Sequence, residues 1–270
     1  MLVHICKECG TSYADAPSPP ARCPICEDER QYVPRTGQAW TTPDELSASH
    51  VNTWRLLEPN LFEIHTQPDF AIGQRALLVR TDAGNFLWDC IALIDDATVE
   101  LIKGLGGLAG IAISHPHYYT RCQDWAAAFG CPVHLHAADQ ECVMRPDPAI
   151  RFWQGDTMAL GSGVTLIRLG GHYPGSTVLH WMPGRGGDGV LLTGDTLQVV
   201  ANQARVSFMY SYPNLLPLSA AAVRRIADIL NGWRIDRVYG FNVGRQILAR
   251  GGAGIERSAQ RYIELLSEDR

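Results

Sequence analysis

Hydrophobic and polar positions along the 270-residue chain follow a regular pattern only from about residue 56 onward. From there, short apolar stretches bounded by turn residues predict strands over residues 61–65, 76–80, 85–89, 110–114, 132–136, 164–169, 177–182, 189–193 and 236–239. Amphipathic stretches predict helices over residues 96–103, 120–129, 219–230 and 254–267. Strands that come first and then alternate with helices indicate an α/β (α+β) fold of layered sheets with helices outside them.

The chain before residue 56 has a different character. Residues 14–20 contain three Pro and no large apolar side chain, which indicates a loop rather than a core segment. Residues 37–55 are mostly polar and are interrupted by Pro43, which indicates a connector. We therefore expect a small module over residues 1–36, a connector over residues 37–55 and one main domain over residues 56–270.

Composition and charge exclude several classes of function. The 28 acidic and 23 basic residues leave a formal net charge of −5, so the chain has no overall positive field with which to bind nucleic acid. No apolar run approaches the roughly 18 residues that a membrane span needs, and the first residues do not resemble a signal peptide. We expect a cytoplasmic protein that acts on a small molecule, without nucleic acid or membrane partners. The pattern leaves the oligomeric state open.

Four of the eight Cys form two Cys-x-x-Cys pairs near the N-terminus. Cys6 and Cys9 are separated by thirteen residues from Cys23 and Cys26. In a reducing compartment such clustered pairs indicate metal ligands rather than disulfides. Two Cys-x-x-Cys turns can surround one ion with four thiolates, which suits a structural Zn²⁺. Iron fits the same shell, since the Cys-x-x-Cys-Gly and Cys-Pro-x-Cys motifs also resemble rubredoxin, so the module is either a zinc ribbon or rubredoxin-like.

The charge of the module bears on its role. Residues 1–36 hold four basic and five acidic side chains, a balance that makes a nucleic-acid-binding finger improbable. We expect the module to stabilise the fold or to cover part of the main domain.

A second set of candidate metal ligands follows the ends of predicted strands. His115 and His117 come after the apolar stretch 110–114, and residues i and i+2 of an extended backbone point to the same side. His172 lies in a Gly-Gly-His-Tyr-Pro-Gly-Ser loop after another strand, and Asp195 follows a third. Imidazole groups bind borderline cations such as Zn²⁺ well. Three His and one Asp at strand ends therefore predict a second metal site.

The order His-x-His, Gly-His-x-Pro-Gly-Ser and Gly-Asp resembles the metallo-β-lactamase superfamily over residues 56–245. The resemblance implies a four-layer αβ/βα sandwich, preceded here by the small zinc-ribbon module. It implies that His115, His117 and His172 bind the first metal and that Asp195 is the carboxylate between the two metals of that family. It also implies that Asp89 orients a ligand histidine.

The sequence departs from that family at three ligand positions. The family motif His-x-His-x-Asp-His has Tyr119 and Thr120 in its last two positions here, and the final His of the family is replaced near Asn242. The second-metal ligands are therefore missing. We expect one ion bound by three His, with Asp195 as its fourth ligand or just outside. Tyr118 or Tyr119 can contribute a phenolate or a hydrogen bond.

A competing motif, His134-x-His136 with Asp139 nearby, lies on the predicted strand over residues 132–136. Taken alone it is as good a metal signal as His115-x-His117, although the family has no ligand there. Residues 206–212 and Trp153 supply aromatic side chains that suit either a pocket or ordinary packing.

These observations predict a metal-dependent hydrolase. A zinc ion bound by three neutral ligands lowers the pKa of its water to about 7, so zinc-bound hydroxide could attack an ester, thioester, amide or phosphoester. Asp195 and Tyr119 are the predicted catalytic side chains, and Asp195 would orient the water or accept its proton. One alternative is a non-catalytic metal-binding protein on a hydrolase fold. Another is a redox protein with iron at both sites.

Overall fold

A computed structural model of the protein describes residues 2–267, and the chain divides into two compact units at Trp153 and Gln154. The first unit contains the four Cys of the N-terminal pairs together with His115 and His117. Its elements, in chain order, are β1 (Leu2–Cys6), β2 (Ser12–Ala16), α1 (Pro24–Glu27), β3 (Trp40–Thr41), α2 (Pro43–Ser47), β4 (Val51–Glu58), β5 (Leu61–Gln67), β6 (Arg75–Val79), β7 (Phe86–Trp88), α3 (Asp96–Gly104), β8 (Gly110–Ala112), α4 (Cys122–Phe129), β9 (Val133–His136) and β10 (Ile150–Trp153).

Two sheets build the first unit. Strands β2, β1 and β3 form a small antiparallel sheet in that order, and it carries the first Cys pair at the end of β1. The larger sheet has seven strands in the order β10-β9-β8-β7-β6-β5-β4. Its strands β4 to β7 are antiparallel neighbours, whereas β7 to β10 are parallel. Parallel neighbours end at the same edge, so the residues after β7 and β8 are close together.

The second unit contains a mixed six-stranded sheet and two longer helices. Its elements, in chain order, are β11 (Thr157–Gly161), β12 (Val164–Arg168), β13 (Thr177–Trp181), α5 (Gly184–Gly187), β14 (Val190–Leu192), β15 (Gln198–Val199), β16 (Val206–Ser207), β17 (Met209–Ser211), β18 (Leu216–Pro217), α6 (Ala220–Asn231), β19 (Arg237–Tyr239), β20 (Gln246–Ile247) and α7 (Gly251–Ser267).

Sheet order in the second unit positions the loops that follow β12 and β14. The six strands are arranged β11-β12-β13-β14-β19-β20, and β13 is antiparallel to both of its neighbours. Strands β12 and β14 therefore run in the same direction and end at one edge of this sheet. Two short hairpins, β15-β16 and β17-β18, follow in the chain.

Helices α6 and α7 bury apolar side chains in the core of the second unit. Ser219 begins α6 by accepting a hydrogen bond from the Ala222 N–H, and Gly232 follows the helix end. The apolar face of α6 packs with residues of α7 and of β14, β16 and β19. The buried members of this core are Ile167, Leu169, Val178, Leu191, Leu197, Val199, Val206, Phe208, Leu218, Val223, Ile226, Leu230, Ile235, Val238, Ile247, Ile255 and Ala259.

The predicted strands and helices of the main domain are present, with ends that differ by a few residues. The structure adds elements within the predicted connector, residues 37–55: strand β3, helix α2 and the start of β4. Helix α2 has a capping box, in which the Thr42 side chain and Glu45 satisfy each other's backbone N–H groups. The proposed division at residues 36 and 55 stays a prediction. In the part of the chain that the structure describes, no helix is both long and apolar enough to cross a membrane.

Candidate metal sites

The four Cys of the N-terminal pairs form a compact buried group, which we call the thiolate cluster. Their Sγ atoms all lie within 4.8 Å of one another. Cys6 Sγ is 3.5 Å from Cys26 Sγ, and Cys9 Sγ is 3.6 Å from Cys23 Sγ. The first pair is held by a tight turn in which the Gly10 N–H donates to the Cys6 carbonyl at 2.9 Å and Gly10 has a φ of +80°.

The four thiols of the cluster strongly shift one another's pKa values. The thiols of Cys26, Cys6 and Cys9, together with the Tyr13 hydroxyl, hold the pKa of Cys23 far below its usual range. Hydrogen bonding with Cys23 is the largest of the causes that raise the pKa of Cys9 well above its usual value, and burial adds to the shift. The four sulfurs can all be ionised only when a positive ion lies between them. The donor set therefore fits a bound divalent ion.

Two polar side chains donate hydrogen bonds to the sulfurs. The Tyr13 hydroxyl is 3.0 Å from Cys23 Sγ, and the Gln38 amide nitrogen is 2.9 Å from Cys6 Sγ. Such donors stabilise negative charge on thiolate ligands and orient them. Gln38 belongs to the predicted connector, and sequence reasoning assigned no role to either side chain.

In the first unit, His115 and His117 lie in the loop that follows β8. Both are buried, and their ring centroids are 5.0 Å apart. Asp89 comes directly after the parallel strand β7, so its carboxylate reaches the same loop and accepts the Ser114 N–H at 2.7 Å. The Ser114 hydroxyl is 2.9 Å from His115 Nδ1. Asp89 thus acts on the backbone immediately before a candidate ligand.

In the second unit, His172 and Asp195 follow β12 and β14, the strands that end at the same edge. His172 is fully buried, and its Nδ1 donates to the Tyr210 carbonyl at 2.8 Å, which leaves Nε2 as the ligand atom of a neutral ring. The Tyr212 hydroxyl donates to the Asp195 carbonyl at 2.6 Å. Burial of this phenol raises its pKa well above 10, so the proton is retained at neutral pH.

The four candidate ligands form one group. One ligand atom from each of His115, His117, His172 and Asp195 lies within 4.8 Å of the other three, and all four residues are buried. Within residues 2–267, this group and the thiolate cluster are the two that meet this criterion. We call the group the histidine site. Three imidazoles and a carboxylate are a donor set that suits borderline divalent ions.

The two tyrosines that follow His117 have different surroundings. Tyr118 is fully buried, and its ring packs edge-on against His115 with centroids 5.3 Å apart. Tyr119 is also buried, and its backbone closes the turn after Pro116–Tyr118. The proposed catalytic role of Tyr119 stays a prediction. Asn242, near which the resemblance places the final His, accepts a hydrogen bond from Gln198 at 2.9 Å.

The competing His134-x-His136 motif does not supply a third group of this geometry among the described residues. His134 lies on β9 and is half-buried, and burial lowers its pKa. His136 accepts the Ala138 N–H through Nδ1 at 3.1 Å and packs edge-on against Trp153. His136 therefore has the packing and hydrogen bonding typical of a structural histidine.

The sequence analysis did not predict which residues contact the candidate ligands of the second unit. Tyr210 and Tyr212 belong to the aromatic segment 206–212, which was considered only for pocket lining or packing. Their contacts with His172 and Asp195 depend on the β17-β18 hairpin. Tyr210 and Tyr212 alternate just before a Pro-Asn turn, and this pattern indicates the end of a strand. The pattern does not indicate which residues pack against that strand.

Comparison with known proteins gives a relative of similar length. No protein-family model matches the sequence. The uncharacterised protein YmaE of Bacillus subtilis (strain 168) is 43% identical over 271 residues, which cover 100% of this chain and 98% of YmaE. The chain belongs to the YmaE family.

Solved structures show which fold this YmaE family member has. DIM-1 metallo-β-lactamase matches with a TM-score of 0.59 and 13% identity, covering 78% of this chain and 97% of that chain. A B3 metallo-β-lactamase with an active-site glutamic acid matches with a TM-score of 0.54 and 16% identity, covering 79% of this chain and 88% of that chain. A mutant metallo-β-lactamase of Cronobacter sakazakii matches with a TM-score of 0.51 and 18% identity, covering 79% of this chain and 94% of that chain.

These matches confirm the predicted fold class: this YmaE family member has the metallo-β-lactamase fold, with a Cys cluster near its N-terminus. At such identities the likeness concerns the fold alone. The fold and the candidate ligands together support metal binding and, in general terms, a metal-dependent hydrolase.

Proposed function

We propose that this protein is a zinc-dependent hydrolase with one catalytic ion at the histidine site and one structural zinc ion in the thiolate cluster. The observation that carries the proposal is the meeting of three buried imidazoles and one buried carboxylate, each from a loop after a strand end. Exposed acidic clusters are common without a metal, whereas a buried carboxylate such as that of Asp195 needs a compensating charge.

The residues of the histidine site have separate roles in this proposal. When bound, a zinc ion lowers the pKa of a coordinated water and polarises a substrate oxygen. His115, His117 and His172 present neutral ring nitrogens, and His172 is held in the required tautomer by the Tyr210 carbonyl. The Asp195 carboxylate orients the attacking water and accepts its proton at an Oδ atom. Tyr119 donates a hydrogen bond from its hydroxyl to the substrate.

The proposed substrates are small esters, thioesters, amides or phosphoesters. They share an electrophilic carbon or phosphorus atom beside an oxygen that a cation can polarise. The missing second-metal ligands at positions 119, 120 and 242 favour a one-ion reaction.

A substrate panel on zinc-loaded full-length protein tests the proposal. We expect hydrolysis of at least one substrate class, and His117→Ala should abolish it. His134→Ala is the matched control, because it removes a histidine from the other His-x-His motif. Activity that survives in His117→Ala, or falls equally in both variants, would contradict the proposed site.

A second candidate function is non-catalytic metal binding. The Asn242 side chain is engaged with Gln198, in the place where the family has a metal-ligating His. Two bound ions per chain together with no turnover across the whole panel would favour this candidate. A redox protein is the third candidate, and visible absorption from ferric thiolate in the protein as isolated would favour it.

A further inference from the structure

The thiolate cluster is joined by hydrogen bonds to the loop that carries two ligands of the histidine site. Gln74 immediately precedes β6 and is buried. Its amide nitrogen donates to the Cys9 carbonyl at 2.8 Å and to the His117 carbonyl at 3.0 Å. Both amide protons are therefore used to connect a residue of the first metal group with a residue of the second.

Gly10 makes room for this bridge. A Cβ atom at Gly10 would lie 3.0 Å from the Gln74 amide nitrogen, closer than nine in ten real Cβ contacts, so the amide would have to shift. The Cys-x-x-Cys-Gly turn therefore allows the Gln74 amide to approach the Cys9 carbonyl. Gly10 therefore serves both the turn of the first Cys pair and the hydrogen bond from Gln74.

A second connection reaches the other end of the same loop. Ser12, at the start of β2, donates its backbone N–H to the Thr120 carbonyl at 3.3 Å and its hydroxyl to the same oxygen at 2.5 Å. Thr120 has a φ of +24°, which is unfavourable for a β-branched residue and persists only when its surroundings hold it. Both residues are buried.

We propose that the thiolate cluster positions the His115–His117 loop, with Gln74 and Ser12 as positioning residues, so that an ion in the cluster strengthens metal binding at the histidine site. The proposed coupling rests on one part of the proposed function, namely that the histidine site binds an ion. An ion in the cluster would hold the Cys6–Cys9 turn, and Ser12 pairs with Ile5 of β1, next to Cys6. The two bridges hold the ligand loop at both ends.

The coupling is thermodynamic and therefore reciprocal. An ordered loop presents His115 and His117 in the binding geometry before the ion arrives, so less free energy is spent on ordering them. An ion at the histidine site should tighten ion binding by the thiolate cluster by the same factor.

The test uses full-length protein freed of metal and then loaded with one equivalent of zinc, which the thiolates retain. Co²⁺ is titrated into this protein, and its visible absorption reports binding by the nitrogen and oxygen ligands of the histidine site. Thiolate-to-cobalt charge-transfer absorption must stay absent, which shows that zinc still fills the cluster. The dissociation constant for Co²⁺ is the measured quantity, so no substrate is needed.

We expect Gln74→Ala to weaken Co²⁺ binding about tenfold, as loss of a group that orients metal ligands commonly does. Asn85→Ala is the matched control. Asn85 is also a buried amide in the same unit, and its nitrogen donates to the Leu105 and Gly107 carbonyls at 3.0 and 2.8 Å. The Asn85→Ala variant should therefore bind Co²⁺ with the same affinity as wild type.

Equal affinity in wild type and Gln74→Ala would overturn the proposal, and so would equal weakening by both variants. If Gln74→Ala does not fold, Ser12→Ala takes its place. It removes one hydrogen bond to Thr120 and should weaken binding about two- to tenfold. Unchanged binding would then overturn the proposal.

Wild-type protein that binds no Co²⁺ beyond the zinc would overturn the proposed function and, with it, the coupling. Wild-type binding that Gln74→Ala leaves unchanged would overturn the coupling alone.

Discussion

The thiolate cluster and the histidine site differ in how their ligands are spaced along the chain. All four Cys ligands lie before residue 27, and two local turns bring them together. The ligands of the histidine site extend from residue 115 to residue 195 and follow three different strands. A short-range site depends mainly on its own turns and its ion. A long-range site depends on sheet order and on the loops that hold each ligand.

Loss of one thiolate should have the largest effect. Cys23→Ser removes a ligand whose pKa the cluster lowers, and structural zinc in small modules contributes about 10–16 kcal/mol of binding free energy. We expect the zinc content to fall by one ion and residues 1–36 to become sensitive to protease. Elemental analysis and limited proteolysis measure these changes.

Cys131→Ser is the matched control for this prediction. Cys131 lies outside both candidate metal groups, and burial raises the pKa of its thiol to about 11. A Cys23→Ser protein that retains both ions would show that the cluster is not a metal site.

Asp89→Ala should weaken the histidine site while leaving the thiolate cluster filled. The change leaves the buried Ser114 N–H without its acceptor, and Ala tolerates the φ of +61° at this position less well than Asp. We expect Co²⁺ to bind the histidine site about 10- to 100-fold more weakly. Asp89→Asn keeps an acceptor oxygen and should have a smaller effect. Equal effects of both variants would argue against the hydrogen bond as the cause.

Tyr212→Phe should have a smaller effect on the same site. It removes one hydrogen bond, from the Tyr212 hydroxyl to the Asp195 carbonyl, and keeps the aromatic ring. We expect a loss of about 1 kcal/mol in the free energy of unfolding and a several-fold weaker Co²⁺ affinity. Urea unfolding and the cobalt titration measure the two quantities. Tyr262→Phe removes another tyrosine hydroxyl bound to a carbonyl, that of Phe208, and should leave the Co²⁺ affinity unchanged.

His134→Ala should have the smallest effect, because His134 lies outside both metal groups. We expect two ions per chain and a change in unfolding free energy within about 1 kcal/mol. Burial lowers the pKa of His134 in the folded state, so stability is present above the unfolded pKa and is lost as the pH falls through the folded pKa. The variant should therefore lose less stability than wild type between pH 7.5 and pH 5.5. A metal content of one ion per chain in His134→Ala would instead indicate that the His134-x-His136 motif binds metal.

Local patterns predicted much of the fold. The helix over residues 219–230 was predicted with Ser219 as its N-cap and Gly232 at its end, the helix over residues 96–103 was predicted without such signals, and both are present. Helix α2 and strand β4 were missed, because a polar surface strand and a five-residue helix carry little hydrophobic periodicity. Their stability comes from neighbours: β4 pairs with β5, and Leu46 of α2 packs with Ile5.

The sequence by itself determined the donor atoms of both metal groups, because ligand chemistry depends on residue type and short spacing. It also determined the turns that hold the Cys pairs. Only the tertiary structure decided which other groups surround those donors. The bridge through Gln74, the Ser12 contact with Thr120 and the Tyr212 contact with Asp195 join residues 17 to 108 positions apart. Sheet order and chain direction create such contacts, and no local pattern records them.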